Sequence, residues 1–390
     1  MKIFTSIVIL VISVNLNAQL QPGFEPEEAR DLTAICNSYT FLELYEDDTD
    51  IIPKDYKKKF TSETIGMDNQ FQIYTKGKIG VIHFRGSTSQ VTSWIENMYS
   101  AMIPAKGVVK INNKEHTYQF ASDTLAAVHS GYALAILLQA PSLLEQIKRL
   151  NAQGIHSMLI TGHSQGGALA TLCRTYLEHL PSEIVSDKNK FKTYSFASPM
   201  VGNKAFAEEY NAMYSANKTS FRIINPADMI HEMPVHYDED KKLINTERIF
   251  NTISGKEKLS LKKLGVEFVA RNFERTLANH IGFSNRQIER FVSKAITSLE
   301  MPEYTKDINY YKAGEVMTLR PFIYPTVAIE ESQLSEYDLT DLLQDDNGTF
   351  YKKEPAFFQH KPYNYYVGVL QKYLPKEYDS LKRRYLQENL

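Results

Sequence analysis

The residues with the clearest potential for chemistry lie in one short glycine-rich run, Gly162-His163-Ser164-Gln165-Gly166-Gly167. An apolar run at 158–161 precedes it and a helical apolar pattern follows it, so the motif G-x-S-x-G stands between a strand and a helix. In that setting a serine hydroxyl projects from a sharp, strained turn, and the flanking glycines remove side chains that would collide. The pattern predicts that Ser164 is a nucleophile; the alternative is a solvated serine in a glycine-rich turn.

A serine hydroxyl is a poor nucleophile at neutral pH until a base takes its proton. In hydrolases with this motif the partners follow in the order Asp or Glu, then His. Asp228 comes just after the apolar run at 221–224, at the carboxyl end of a predicted strand, where sites in such sheets lie. The candidate bases beyond it are His231, His236, His280 and His360.

The elements that must position these residues alternate along the chain. Short apolar or β-branched runs at 156–161, 191–196 and 220–224 are separated by helical patterns. This alternation predicts an α/β fold in which helices cover both faces of a mostly parallel sheet. Together with the strand–serine–helix motif, this alternation predicts that the fold class is an α/β-hydrolase.

Further elements flank this core. A helix is expected within 27–44, a hairpin of two strands at 71–74 and 78–84, and a further strand at 314–319. Residues 124–147 favour a helix, which we expect to be interrupted near Pro141.

The composition excludes some classes of partner. The chain has 390 residues, a formal net charge of -2 and a sequence pI of about 6.6. A nucleic-acid partner is not expected, because its usual footprint is a basic patch or stripe. No cluster has the spacing of metal ligands and no glycine-rich loop is placed to hold a phosphate, so no cofactor is expected.

The first 18 residues have the layout of a signal peptide. Lys2 precedes a mostly apolar stretch at 3–14 that is too short to span a bilayer, and Ala18 offers a cleavage point, although Leu16 stands where a small residue is preferred. We therefore expect a secreted or periplasmic protein with one hydrolase domain over 19–390; the alternative is an uncleaved amphipathic start. The cysteines, Cys36 and Cys173, do not make a disulfide framework, and a buried structural role is expected for both.

Several motifs in order resemble the class 3 lipase family, which includes the fungal triacylglycerol lipases. These motifs are 84–88 (Phe-Arg-Gly-Ser-Thr), 128–132 (Val-His-Ser-Gly-Tyr), the 162–167 run, 194–203, 222–234 and 360–363 (His-Lys-Pro-Tyr). The resemblance covers roughly residues 70 to 235 and the C-terminal piece. It implies that Ser164, Asp228 and His360 are a catalytic triad, and that Ser87 and Gln165 supply the oxyanion hole. From the residues alone, His360 remains one of four candidates.

Two segments depart from the compact members of that family. The segment at about 240–308 looks longer than its counterpart in those members and is rich in helix formers, which predicts a helical cap or insertion. This insertion either shapes the substrate pocket or packs at the periphery. Residues 90–103 show one apolar face around Trp94, which favours a lid with transient contact to a lipid interface, although core packing is the commoner use of that pattern.

Two hypotheses follow for the function. The first is an exported serine esterase or lipase whose partner is an ester or lipid substrate. The second is a non-catalytic binding protein that has kept the fold, since a fold does not imply a function. The sequence gives no indication of oligomeric state.

Overall fold

The fold is taken from a computed structural model, which describes residues 20–38, 49–88, 90–234, 292, 296, 298–324, 328–337, 339, 342–354 and 357–384. The predicted signal peptide, most of the predicted insertion, His236 and His280 lie outside these residues.

The described strands begin with β1 Lys57–Thr61, β2 Phe71–Lys76, β3 Ile79–Phe84, β4 Met102–Pro104, β5 Lys106–Ile111, β6 Lys114–Gln119 and β7 Ala127–His129. They continue with β8 Ser157–His163, β9 Lys190–Phe196, β10 Ser220–Ile224, β11 Leu299–Glu300, β12 Glu315–Thr318, β13 Ala328–Ile329, β14 Leu342–Gln344 and β15 Phe350–Lys352. The described helices are α1 Pro26–Asn37, α2 Val91–Met98, α3 Ser130–Ala152, α4 Gln165–Glu178, α5 Lys204–Tyr210, α6 Pro362–Tyr373 and α7 Pro375–Ser380.

A seven-stranded sheet in the order β1-β2-β3-β8-β9-β10-β12 organises the fold. The pairs β3–β8, β8–β9, β9–β10 and β10–β12 are parallel, whereas β1–β2 and β2–β3 are antiparallel. The predicted hairpin and the predicted strand near 314–319 are both present. The prediction of an α/β-hydrolase with a mostly parallel central sheet is confirmed.

Side chains along the central strands alternate between two cores. On β8, Met158 and Ile160 belong to the larger core, under α3 and α4, whereas Leu159 belongs to the core that contacts α1 and α6. Successive side chains of a strand point to opposite faces, so both faces of β8 need apolar residues. Strand β8 is therefore buried along its whole length and does not alternate between buried and exposed residues.

The long helix differs from the prediction at both its start and its middle. Residues 127–129 are strand β7, whose backbone pairs with β4, and α3 begins only at Ser130. The predicted interruption near Pro141 is wrong, because α3 runs through it. Pro141 itself is exposed, while Leu143 and Ile147 hold the next turns of α3 in the core.

The two cysteines are buried in different helices and are free. Cys36 lies on α1, with its sulfur 3.8 Å from Thr161 Oγ1, and Cys173 lies on α4 in the larger core. Burial raises the pKa of the Cys36 thiol to about 12. The predicted buried structural role is confirmed for both. Within the described ranges, no helix has the length and apolarity needed to cross a bilayer.

Candidate active site

Ser164 occupies the sharp turn between β8 and α4. Its backbone angles are φ 58 and ψ -129, a conformation that costs free energy in a non-glycine residue and that is held by the surrounding backbone. A Cβ on Gly162 would come 2.2 Å from the Gly166 carbonyl oxygen, and one on Gly166 would come 2.2 Å from that of Phe84. The backbone contacts at these two glycines therefore leave no room for a side chain, as predicted.

A chain of two hydrogen bonds joins Ser164, His360 and Asp228. Nε2 of His360 lies 2.9 Å from Ser164 Oγ, and Nδ1 lies 2.8 Å from Asp228 Oδ2. Because a carboxylate only accepts, Nδ1 carries the ring hydrogen and Nε2 is left as the acceptor for the serine proton. His360 is 4% exposed and Asp228 is 2% exposed, so water is largely excluded from both contacts.

Three different elements position these side chains. Ser164 follows β8, Asp228 follows β10, and His360 closes a short 3-10 turn, Phe358–His360, just before α6. His360 and Asp228 are 132 positions apart in the sequence. The parallel strands deliver the serine and the aspartate to the same edge of the sheet, and α6 brings the histidine back to them.

The carboxylate of Asp228 is fixed by further donors. Its Oδ1 accepts the backbone N–H of Ile230 at 2.9 Å, and its Oδ2 accepts the hydroxyl of Tyr365 at 2.7 Å. The Tyr365 oxygen in turn accepts the N–H of Asn225 at 3.0 Å. Burial, followed by the charge of Asp228, raises the pKa of Tyr365 well above 10, so the hydroxyl stays a neutral donor.

Of the other candidate bases, His231 lies within the described residues, and it does not take the place of His360. His231 is buried near Asp228, yet neither of its ring nitrogens has a hydrogen-bond partner within the described ranges. Burial lowers the pKa of His231, and the nearby Asp228 charge only partly opposes this. The ring of His163 lies 4.6 Å from that of His360, and burial lowers the pKa of His163 well below 6.5.

The residues assigned to the oxyanion hole lie on the two loops beside Ser164. Ser87 follows β3, and Gln165 is the first residue of α4, where backbone N–H groups have no partner within the helix. A Cβ on Gly86 would lie 3.6 Å from Ser164 Cβ, so the two loops are in close contact. Asn97 Nδ2 donates to Ser87 Oγ at 2.8 Å, and Tyr132 donates to Asn97 Oδ1 at 2.9 Å.

Helix α2 covers only part of the segment that favours a lid. It spans Val91–Met98, whereas Met102–Pro104 forms β4. Ile95 is 2% exposed and belongs to the larger core, while Trp94 and Met98 are half-buried. Of the predicted apolar face, Ile95 and Met98 therefore pack on the protein core in this structure.

Part of the chain is similar to a known protein family. Residues 81–237 match the family model described as Lipase (class 3). The predicted resemblance to the class 3 lipases is confirmed. The class 3 lipase segment carries Ser164, Asp228, Ser87 and Gln165, while His360 lies beyond it.

Curated relatives are similar to this chain over limited stretches. A secreted mono- and diacylglycerol lipase of Fusarium solani is 25% identical over 34% of this chain and 39% of its own. A phospholipase A1-II of Oryza sativa subsp. indica is 27% identical over 40% of this chain and 39% of its own length. A Caenorhabditis elegans lipase is 33% identical over 20% of this chain and 21% of its own length. The chain thus spans well under half the length of the curated relatives that it matches.

Solved lipase structures are also similar. The Rhizomucor miehei lipase in its propeptide complex is 23% identical, covers 55% of this chain and 66% of its own, and gives a TM-score of 0.40. A lipase from Rhizopus microsporus var. chinensis is 20% identical, covers 56% of this chain and 71% of its own, and gives a TM-score of 0.41.

Sequence reasoning missed residues that support the site. One is Tyr365, whose hydrogen bond to Asp228 the sequence did not reveal. Another is Asn97 on α2, whose side chain accepts a hydrogen bond from the buried Tyr132. In the part of the chain that the structure describes, no group of three or more His, Cys, Asp or Glu could hold a metal ion.

Proposed function

We propose that the chain is an exported serine carboxylic-ester hydrolase that acts on lipid esters through Ser164, His360 and Asp228. The observation that carries the proposal is the continuous bonding from Ser164 Oγ through both nitrogens of His360 to Asp228. An isolated serine in a glycine-rich turn would not need a buried histidine and a buried carboxylate in this order. The match of residues 81–237 to the class 3 lipases supports the same chemistry.

The acylation step uses all three residues. Nε2 of His360 takes the proton of Ser164 as Oγ attacks the ester carbonyl carbon. Asp228 keeps the imidazole in the required tautomer and stabilises its protonated form. When the tetrahedral intermediate collapses, the bond to the leaving alcohol breaks and the imidazolium gives that alcohol its proton. Water then attacks the acyl-enzyme while His360 takes a proton from it. As the bond between the acyl carbon and Ser164 Oγ breaks, His360 gives that proton to Oγ and the carboxylic acid leaves.

The negative charge that forms on the carbonyl oxygen needs donors that are already in place. We assign this role to the backbone N–H groups of Ser87 and Gln165, with the Ser87 hydroxyl as a third donor. The Oγ of Ser87 accepts a hydrogen bond from Asn97, so its own hydrogen is left to donate. Loss of one such donor typically costs roughly 3 kcal/mol of transition-state stabilisation.

The substrate class is narrower than esters in general. The Fusarium relative is named as a mono- and diacylglycerol lipase and the Oryza relative as a phospholipase A1-II. Both substrates are glycerol esters of fatty acids, and we propose a glycerol-based lipid as the natural class. The proposed signal peptide, residues 1–18, would direct secretion of the enzyme or its export to the periplasm, where it would encounter such lipids.

A p-nitrophenyl ester series from short to long acyl chains tests the activity on purified residues 19–390. The expected result is hydrolysis that is lost in both Ser164→Ala and His360→Ala. Activity that survives in His360→Ala would move the base to another histidine, and the absence of hydrolysis on every ester and on a dispersed acylglycerol would favour the binding protein. The mass of the N-terminus of the exported protein tests cleavage after Ala18.

A further inference from the structure

A buried asparagine lies between the two segments that carry Asp228 and His360. Asn225 directly follows β10, three residues before Asp228, and is 0% exposed. Its backbone carbonyl accepts the N–H of Asp228 at 3.0 Å, and its side-chain Oδ1 accepts the N–H of Ala227 at 3.1 Å. An asparagine that bonds the backbone two residues on in this way closes a tight turn. Asn225 therefore shapes the turn that presents the carboxylate of Asp228.

The side-chain amide of Asn225 also reaches the 3-10 turn Phe358–His360, which we call the histidine turn. Its Nδ2 donates to Gln359 Oε1 at 2.7 Å and to the backbone carbonyl of Gln359 at 3.2 Å. Gln359 directly precedes His360, and it is 134 positions from Asn225 in the sequence. These bonds therefore join the end of β10 to the turn that carries the proposed base.

Backbone partners fix the orientation of both amides. Because Oδ1 of Asn225 accepts a backbone N–H, its Nδ2 is left to face Gln359. Oε1 of Gln359 also accepts the N–H of Phe322 at 3.0 Å, and its Nε2 donates to the carbonyl of Phe322 at 2.9 Å. A reversed Gln359 amide would lose both bonds to Phe322, so Oε1 is the atom presented to Asn225. Gln359 is 8% exposed, so water competes little for these bonds.

The backbone of Asn225 supports the same assembly. Its N–H donates to the Tyr365 oxygen at 3.0 Å, and the Tyr365 hydroxyl donates to Asp228 at 2.7 Å. A catalytic contact must be held to within about 0.5 Å, and a displacement of about 1 Å can cost about 10²-fold in rate. The 2.8 Å contact between His360 and Asp228 therefore depends on how the two segments are held together.

We propose that Asn225 is a positioning residue of the triad, whose side-chain amide holds the histidine turn against the end of β10 and thereby keeps His360 Nδ1 in contact with Asp228. This inference rests on the proposed function. Asn225 is fully buried, so it acts through His360 and Asp228 rather than on the substrate. Its loss should therefore lower kcat and leave KM nearly unchanged.

The kinetic test compares Asn225→Ala, Gln359→Ala and the double variant on a soluble short-chain p-nitrophenyl ester. We expect Asn225→Ala to lower kcat by about 10-fold to about 10²-fold with KM nearly unchanged. Gln359→Ala removes Oε1 and should lower kcat in the same way. Because the two substitutions remove the same bond, the fall in kcat of the double variant should be smaller than the product of the two single falls.

Proton NMR reports the position of His360 directly. The Nδ1 proton of an imidazole that is bonded to a carboxylate resonates far downfield of the backbone amide protons. We expect this resonance in the unmodified protein and its loss or marked broadening in Asn225→Ala. A variant that is merely less stable would keep the resonance at temperatures where it is folded.

Asn203→Ala is the matched control. Asn203 is 5% exposed, its Nδ2 donates to the Leu125 carbonyl at 2.9 Å, and its Oδ1 accepts the N–H of Ala127 at 3.0 Å. It thus joins two segments by the same kinds of bond, at β7 and the start of α5. Asn203→Ala should lower the melting temperature while keeping the downfield resonance and most of kcat.

A folded Asn225→Ala with the kcat and the downfield resonance of the unmodified protein overturns the inference. Equal losses of kcat in Asn225→Ala and Asn203→Ala also overturn it. If Asn225→Ala fails to fold, as judged by circular dichroism, Gln359→Ala decides by the same two readouts, because it leaves the acid turn intact. An unmodified protein that hydrolyses no ester and is not labelled at Ser164 by a phosphonate contradicts the proposed function, whereas the resonance of Asn225→Ala still decides whether Asn225 positions His360.

Discussion

The hydroxyl of Tyr365 donates a hydrogen bond of 2.7 Å to Asp228 Oδ2, the same oxygen that accepts from Nδ1 of His360 at 2.8 Å. Removing this donor with Tyr365→Phe should lower kcat/KM by about 10-fold or more, since a hydrogen bond to a charged group contributes about 1.5–3 kcal/mol. Thermal stability should also fall, because the Asn225 N–H loses its acceptor. Steady-state kinetics and the melting temperature measure the two effects.

Tyr363→Phe is the matched control for this prediction. Tyr363 lies on the same helix, is 1% exposed, and donates its hydroxyl to the Arg383 carbonyl at 2.8 Å, away from the triad. It should lose stability without a comparable loss of kcat/KM. Equal losses of activity in both variants would show that α6 is disturbed as a whole and would contradict a specific role for the Tyr365–Asp228 bond.

Ser87→Ala tests the hydroxyl donor of the oxyanion hole while keeping the backbone N–H. We expect kcat to fall by about 10²-fold with little change in KM, because the lost contact would form only in the transition state. Ser87→Thr keeps a hydroxyl and should recover most of the rate. If Ser87→Ala has the kcat of the unmodified enzyme, the hydroxyl is not a donor and only the backbone N–H remains.

Buried histidines predict how stability depends on pH. Burial lowers the pKa of His83 and of His129 to about 3, against about 6.5 in an unfolded chain. Between these values the unfolded chain binds protons that the folded one does not, so this contribution is complete above about pH 6.5 and is lost as the pH falls towards 3. The melting temperature of His83→Asn should depend less steeply on pH between 4 and 6.5 than that of the unmodified protein. An unchanged slope would contradict the neutral, buried state of His83.

The thiols offer a direct check on the packing of α1 and α4. Both Cys36 and Cys173 are buried and free, so a thiol reagent should react with neither in the folded protein at pH 8. After denaturation without reductant it should titrate both. A denatured protein with no titratable thiol would indicate a disulfide and would contradict the described separation of the two side chains.

The nucleophile turn could be predicted from the sequence because its requirements are local. Gly162 is required by the Gly166 carbonyl within the same strand–turn–helix unit, whereas Gly166 also makes room for the Phe84 carbonyl at the end of β3. The apolar runs around the two glycines indicate the parallel sheet. Asp228 followed from the same rule, since it comes just after a strand. These predictions needed no knowledge of distant contacts.

Predictions that depended on distant contacts were less complete. The pattern at 124–147 could not reveal that residues 127–129 pair with β4, because that pairing is decided by residues 102–104. The predicted interruption at Pro141 was wrong because packing on both sides of the proline stabilises α3. Similarly, nothing local to Tyr365 identifies Asp228 as its acceptor, since the two are 137 positions apart.

The most direct test of the proposed catalytic assembly is to label the purified protein with an alkyl phosphonate and to locate the adduct by peptide mass spectrometry. The assembly predicts one adduct, on the peptide that contains Ser164, and labelling at least about 10³-fold slower in His360→Ala, because the serine then lacks its base. Circular dichroism of each variant shows that the fold is kept. An adduct on another residue, or His360→Ala labelled on Ser164 at the rate of the unmodified protein, would contradict the triad.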